Sequence, residues 1–319
     1  METDAPFGPT LLQVWKDYRQ AAARARVLKK RLQSGRLRIA MLGIAGAACG
    51  AMVIQSSTWS AWLSTAPWIP SAFGAGGAVC LGLVAVFSQH VLRTGFERDW
   101  VLLRSIAEAL KSEAFIFMAQ VRAHGGVDGE DRLSSRAKKL LGNGLPGLSV
   151  SIAPQDEIAG LPENWLSDAD YIRLRVQDQI ERFYRPQSLN EARKVVLVRR
   201  TAFLLGVIGA GLGGFAAVDT DSAWAAAWIG VIGTTTGAVA AYLYAERSEY
   251  LATSYDLTAR RLDWLIVDWQ RQKAKHPDAS PSEFIVACEQ AISVENAAWV
   301  AEWTTDTKAQ NAAPDGAGA

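Results

Sequence analysis

The chain has 319 residues, a formal net charge of +1, three cysteines and three histidines. A near-neutral total removes any global electrostatic ground for nucleic-acid binding. Cys49, Cys80 and Cys288 are too scattered for a disulfide framework or a metal-ligand spacing, and His90, His124 and His276 have no acidic or thiol partner at ligand spacing, so no metal and no cofactor is expected. The charges avoid four windows and crowd between them, which is the pattern of a multi-pass membrane protein.

Residues 10–34 place Leu11, Trp15, Tyr18, Ala22, Ala25, Leu28 and Leu32 at three-four spacing, which predicts an amphipathic helix. Lys16, Arg19, Arg24, Arg26, Lys29, Lys30 and Arg31 fill its other faces, either as a solvated basic surface or as an attraction to anionic headgroups. Ser34-Gly35 is expected to end or bend it. This stretch is too long and too charged for a signal-peptide leader, so the span that follows reads as a retained anchor. That first span is assigned to residues 39–62 and the second to 71–92, lengths that suit a hydrocarbon core of about 30 Å. Trp59, Trp62 and Trp68 belong at a headgroup interface, and Pro67 and Pro70 turn the chain between the spans. The connection carries no charge, whereas basic residues flank both far ends. The positive-inside rule therefore places the N-terminus and residues 93 onward in the cytoplasm.

Beyond the hairpin, Phe96, Leu103, Leu110 and Phe117 recur every seven residues, interleaved with Trp100, Ala107, Ala114 and Val121. Two such series predict a coiled-coil-like stalk whose aromatic residues are core. Residues 124–164 are rich in Gly, Pro and Asp and read as a linker. Within it, Asp128-Gly129-Glu130-Asp131 lacks the ligand spacing of a calcium loop and is expected to be a polar loop. A helix resumes at Ser167, an N-cap ahead of Asp168 and Asp170, and Pro186 is expected to interrupt it. Arg193, Lys194, Arg199 and Arg200 accompany the entry to the third span, 195–218. The turn Asp219-Thr220-Asp221-Ser222 leads to the fourth, 223–244. Heptads then return as Tyr244, Leu251, Thr258 and Leu265, interleaved with Ser248, Tyr255, Leu262 and Trp269. Ser280-Pro281-Ser282-Glu283 reads as a capping box with proline at the first helical position, opening a last helix through Trp303. Residues 304–319 are small and polar and are expected to be a disordered tail.

Laid side by side, the two halves repeat: cytosolic helix, span, short outer turn, span, heptad stalk. Each copy has an even number of spans, so both insert the same way round, as parallel repeats over 8–123 and 165–303. The expected fold class is all-α: an integral membrane protein with four transmembrane helices in two hairpins, long cytosolic extensions and both termini inside.

RDWVLLRSIAEALKSEAFIFMAQ (98–120) resembles the segment that follows the membrane hairpin in the SLATT superfamily. YLATSYDLTARRLDWLIVDW (250–269) and FIVACEQAISVENAAWVAEW (284–303) resemble another SLATT subfamily, with Glu289, Glu295, Asn296 and Trp299 matching its closing pattern. DYIRLRVQDQIERFY (170–184) is similar to the helix that precedes the second hairpin in tandem members. The resemblance implies a bacterial conflict-system effector that forms pores or perturbs the inner membrane. It further implies a cytosolic nucleotide-signalling or sensor protein as partner, although no sensor or nucleotide-binding domain is fused to this sequence.

No nucleophile elbow, Walker loop, zinc motif or carboxylate pair is present, so the chain is not expected to be an enzyme and has no candidate catalytic residue. The small residues carry the chemistry instead. Gly46 and Gly50, Gly209 and Gly213, and Gly233 and Gly237 are each four apart. Gly74, Ala78 and Gly82 form a ladder on the second span, as do Gly206, Ala210 and Gly214 on the third. In lipid such spacing lets helix backbones approach closely, either inside one subunit or between subunits around a pore. Thr234, Thr235 and Thr236 are the candidate polar pore stripe, unless their hydroxyls bond to carbonyls one turn back. Glu289, Glu295, Asn296 and Trp299 are candidates for a cytosolic interaction surface or for closing a bundle. The functional expectation is an oligomeric, pore-forming membrane effector whose partners are the lipid bilayer, copies of itself and a cytosolic signalling protein, with no nucleic acid. The alternatives are a non-toxic membrane-anchored helical scaffold and an ion channel.

Overall fold

The computed structural model describes residues 7–56, 66–91, 94–119, 129–142, 158–218 and 223–293, and among them there is no strand. The helices are α1 (Pro9–Ser56), α2 (Ile69–Val91), α3 (Thr94–Met118), α4 (Gly129–Leu141), α5 (Asp168–Val218), α6 (Ala223–Glu246), α7 (Ser248–Lys275) and α8 (282–293). Four of these are long and apolar enough to cross a membrane, one in each expected place. The protein is an all-α, four-span membrane protein.

Two expected interruptions are absent. α1 runs through Ser34-Gly35 without a break, and Ser34 Oγ donates to the Arg31 carbonyl at 3.1 Å. A single glycine costs a helix only about 1 kcal/mol relative to alanine, and Gly35 is buried, so packing on this side of the helix outweighs that cost. α5 likewise continues through Pro186. Upstream, residues Ile172–Gln177 and Gln179–Tyr184 are π-helical, and this widened register ends two residues before the proline. A shift of hydrogen-bond register is a recognised way for a helix to carry an inserted irregularity without breaking.

The stretch read as a linker contains a helix, α4, where a polar loop was expected at Gly129-Glu130-Asp131. Glu130 and Asp131 occupy its first turn and Lys138 and Lys139 its last, the arrangement that complements the helix dipole. Leu133 and Ala137, four apart, are buried, and Arg136 reaches Glu113 on α3 at 3.1 Å. The start of α5 matches expectation: Ser167 Oγ accepts from the Asp170 amide at 3.1 Å as N-cap.

The chain divides into two compact units. The first holds the described parts of Met1–Lys30, Thr94–Ser188 and Thr253–Ala319; the second holds Arg31–Arg93 and Leu189–Ala252. Spatial compaction thus groups the soluble parts of both sequence repeats, and separately their spans. In the first unit the heptad positions are interior: Leu103 and Leu110 on α3, and Leu262 on α7, are fully buried. Phe96 and Tyr244, the first residues of their series, are exposed. A line of aromatic rings crosses this interior, from Trp15 to Phe115 (6.0 Å), Tyr171 (6.5 Å), Phe284 (6.2 Å) and Trp269 (5.4 Å). Trp100 and Phe117 are buried as core, as their heptad positions require.

The second unit turns its apolar side chains outward. Phe203 is 71% exposed and Leu197 66%, with Leu204, Val79 and Val86 alongside them. An outward apolar surface of this extent on long apolar helices is the surface of a protein covered by lipid or by further helices within lipid.

Candidate functional site

Polar and small residues gather in two places, one in each unit. In the first unit the centre is a buried ion pair. Tyr171, Arg175 and Glu289 lie on the apolar faces of α5 and α8, and all three are nearly inaccessible. Arg175 grips Glu289 bidentately, with Nε donating to Oε1 at 2.9 Å and Nη2 to Oε2 at 2.8 Å. The Tyr171 hydroxyl donates to the same Oε1 at 3.0 Å, and the guanidinium lies 5.1 Å from the Phe115 ring centroid. Arg175 Nη1 has no hydrogen-bond partner. Burial opposes the charge on Arg175, and the attraction and hydrogen bonds of Glu289 outweigh it, holding its pKa above the ordinary value. Burial and then the Glu289 carboxylate push the Tyr171 hydroxyl well up. Burial also raises the neighbouring Cys288 thiol, which is therefore not a reactive thiolate.

Beside this pair sits Lys111 of α3, its ammonium 5.7 Å from the Tyr18 ring centroid of α1. Burial, and after it the charge of Arg175, lower its pKa to about 8. Glu108, one turn earlier on α3, has a buried carboxylate oxygen without a hydrogen-bond partner. A buried pair such as Arg175–Glu289 contributes little net stability relative to apolar residues, but it fixes which faces of α5 and α8 meet. Glu289 is thus interior and not part of a docking surface; Glu295, Asn296 and Trp299 lie outside the described residues.

In the second unit the glycines separate into two sets. Gly46 faces the other helix of its hairpin: a Cβ there would stand 3.4 Å from Leu81 and 3.5 Å from Cys80. Gly77 faces back, 3.3 Å from Cys49 Cβ and 3.5 Å from the Gly46 carbonyl oxygen. Gly209 and Gly213 meet Ile232 and Ile229 of α6 at 3.6 and 3.9 Å. With Gly76, 3.8 Å from Cys49 Sγ, these five are the internal packing set. Gly50, Gly82, Gly206, Gly214, Gly233 and Gly237 meet nothing within 4 Å, and Gly74 only touches Val53 at that limit. All seven are exposed, with Ala78 and Ala210 beside them, so the ladders Gly74-Ala78-Gly82 and Gly206-Ala210-Gly214 and the pair Gly233-Gly237 face outward. Sequence spacing alone gave Gly77 no role and could not sort the two sets.

Thr234, Thr235 and Thr236 each donate to the carbonyl four residues back, at 2.9, 2.8 and 2.9 Å. Three consecutive helical residues fan out at about 100° intervals and do not make a single stripe. Their hydroxyl protons are used within α6.

Residues 171–299 match the family described as SMODS and SLOG-associating 2TM effector domain 1, SLATT_1. Residues 13–131 match a family described only as a protein of unknown function, DUF4231. The second half of the chain carries a SLATT domain. One match falls in each half, consistent with a tandem SLATT-type protein, and the SLATT half implies a membrane effector role in conflict systems. No curated protein and no solved structure matches the chain. The SLATT match spans the buried Arg175–Glu289 pair and both helices of the second hairpin, α5 from Val195 on and α6.

Sequence reasoning missed Tyr171, Arg175, Glu108 and Lys111 as a group. A signal for part of it was present. Glu289 stands between Ile285 and Ile292, and Arg175 one turn after Tyr171, so each is a charge on an apolar face. A charge in that register needs a partner.

Proposed function

We propose that this SLATT protein is an effector that oligomerises in the inner membrane and permeabilises it on a cytosolic signal. The supporting observation is the set of small-residue ladders on the outside of the membrane unit, left without a close neighbour in the single chain. Small faces of this kind gain dispersion contact when another helix replaces lipid. Arg36, Arg38, Arg193, Lys194 and Arg247 lie at one end of the spans, which orients both termini to the cytoplasm under the positive-inside rule. The trigger is read as a cytosolic nucleotide-signalling or sensor protein, in keeping with the SMODS and SLOG association in the family's description.

Dye release from liposomes carrying the purified protein tests this, together with membrane potential in cells after induction. The expected result is release that rises steeply with protein-to-lipid ratio and a collapse of the potential on strong expression. Tight vesicles at every ratio and an intact potential would refute it. A scaffold reading has one observation in its favour, the exposed Leu257 and Trp264 two turns apart on α7. It predicts partner capture without growth arrest.

A further inference from the structure

At one end of the second unit, Glu246 closes α6. Gln33 Nε2 donates to its Oε2 at 2.8 Å and Arg36 Nη1 to its Oε1 at 3.2 Å, so both carboxylate oxygens are held by α1. The ion pair is well shielded, with the Arg36 and Glu246 side chains 13% and 11% exposed. It ties the first hairpin to the second. At the opposite end the same two helices are tied again, where Trp228 Nε1 donates to Gln55 Oε1 at 3.4 Å. On α5 a second pair joins Lys194 to Glu191 at 2.7 Å, and both this pair and Arg36–Glu246 are near enough for their charges to act on Tyr242. Glu191 is buried, with one carboxylate oxygen unbonded.

The residue after Glu246 is strained. Arg247 has φ of 52°, a left-handed conformation in which a non-glycine side chain crowds its own backbone. It is the break between α6 and α7: the Arg247 amide donates to the Tyr244 carbonyl at 3.1 Å, and the Leu251 amide donates to the Arg247 carbonyl at 3.0 Å. A broken, strained joint sits immediately beside the one carboxylate that α1 holds from two sides. Strain of this kind persists only where surrounding contacts over-determine it.

From this juxtaposition we infer that Gln33, Arg36 and Glu246 form a latch. It pins α6 to α1 in the resting state, and its release lets Arg247 relax to a helical conformation as the two hairpins part. The latch is regulation of the effector proposed above and rests on that reading. Its own content is conformational: α1 and α6 stay together at this end because Glu246 is charged and doubly held.

The test places spin labels at Leu37→Cys and Tyr244→Cys, both exposed, in full-length protein whose Cys49, Cys80 and Cys288 are replaced by alanine, reconstituted in liposomes. Glu246→Gln and Arg36→Gln are compared with the charge swap Arg36→Glu/Glu246→Arg, which keeps the pair and guards against loss of folding. The expected result is one narrow distance distribution in the labelled parent. In each single variant a longer population should grow roughly tenfold or more, the factor that corresponds to loss of one charge-assisted hydrogen bond, and the swap should restore the narrow distribution. Unchanged distributions in both single variants overturn the latch, as does a longer population that the swap fails to reverse. Dye release in the same vesicles judges the other reading. A lengthened distance without release supports the latch and counts against pore formation; release from the parent together with unchanged distances in both single variants supports pore formation and overturns the latch.

Discussion

At the residue scale, Lys111 is the group whose state the fold alters most usefully. Its pKa falls to about 8 from an ordinary value near 10.5 because burial penalises the ammonium. A base with a depressed folded pKa takes up its proton less readily folded than unfolded. Its contribution to stability is therefore most favourable above the unfolded value, is lost as pH falls from about 10.5 to 8, and is constant below that. The loss amounts to about 3 kcal/mol at neutral pH. Lys111→Met keeps the stem and removes the titration. Thermal melting of the full chain in detergent should show the variant more stable than the parent at pH 7, with the gap narrowing as pH rises from 8 to 10. A gap that does not depend on pH would mean that Lys111 stays solvated. By contrast Arg175 and Glu289 keep their charges together, and neutralising one alone would strand the other in an apolar interior.

At the scale of elements, the two glycine sets make opposite demands. Gly46 and Gly77 face each other's helix at close range, so Gly77→Leu would drive a side chain into Cys49 and the Gly46 carbonyl. It should lower the thermal stability of the single chain by an amount typical of overpacking, about 1–3 kcal/mol. Gly82→Leu and Gly237→Leu enter open space and should leave the melt of the single chain within about 0.5 kcal/mol of the parent. If the outward ladders pair subunits, those same variants should abolish chemically crosslinked oligomers in membranes. Oligomers that persist in all outward variants would remove the ladders from the assembly. The same scale explains why α5 carries Pro186 within a 51-residue helix and why α4 escaped notice. Turn-forming residues flank α4, and its stability lies in end charges and the burial of two side chains, Leu133 and Ala137, beside Gly129, too faint a pattern to stand out from the loops around it.

At the scale of the whole molecule, orientation is the claim that composition carries and that labelling can check. Asp221→Cys, between the third and fourth spans, should react with an impermeant thiol reagent on intact cells, whereas Asp128→Cys should react only after lysis. The reverse pattern would invert the topology and move the basic residues outside. The spans themselves were legible because hydropathy is a local, additive property of about 20 successive residues. The tandem order was legible for the same reason, since each repeat writes its own alternation of charge and apolar run. Heptad spacing likewise named the buried faces of α3 and α7, because a helix converts spacing into direction without help from its neighbours.

What sequence could not determine is which of these faces meet. Arg175 and Glu289 are 114 residues apart, and Arg36 and Glu246 are 210. No periodicity links positions so distant, because their pairing is decided by the packing of several helices at once. Sequence left Glu289 between an interaction surface and the closing of a bundle, and the grip of Arg175 and Tyr171 on its carboxylate decides for the bundle. The glycines read as one class until the backbone placed some against a neighbour and left the others facing outward. Residue pattern fixed the membrane, the repeat and the helices. Tertiary contact alone decided which charges are neutralised, which small faces are spent on internal packing, and which remain open for another chain.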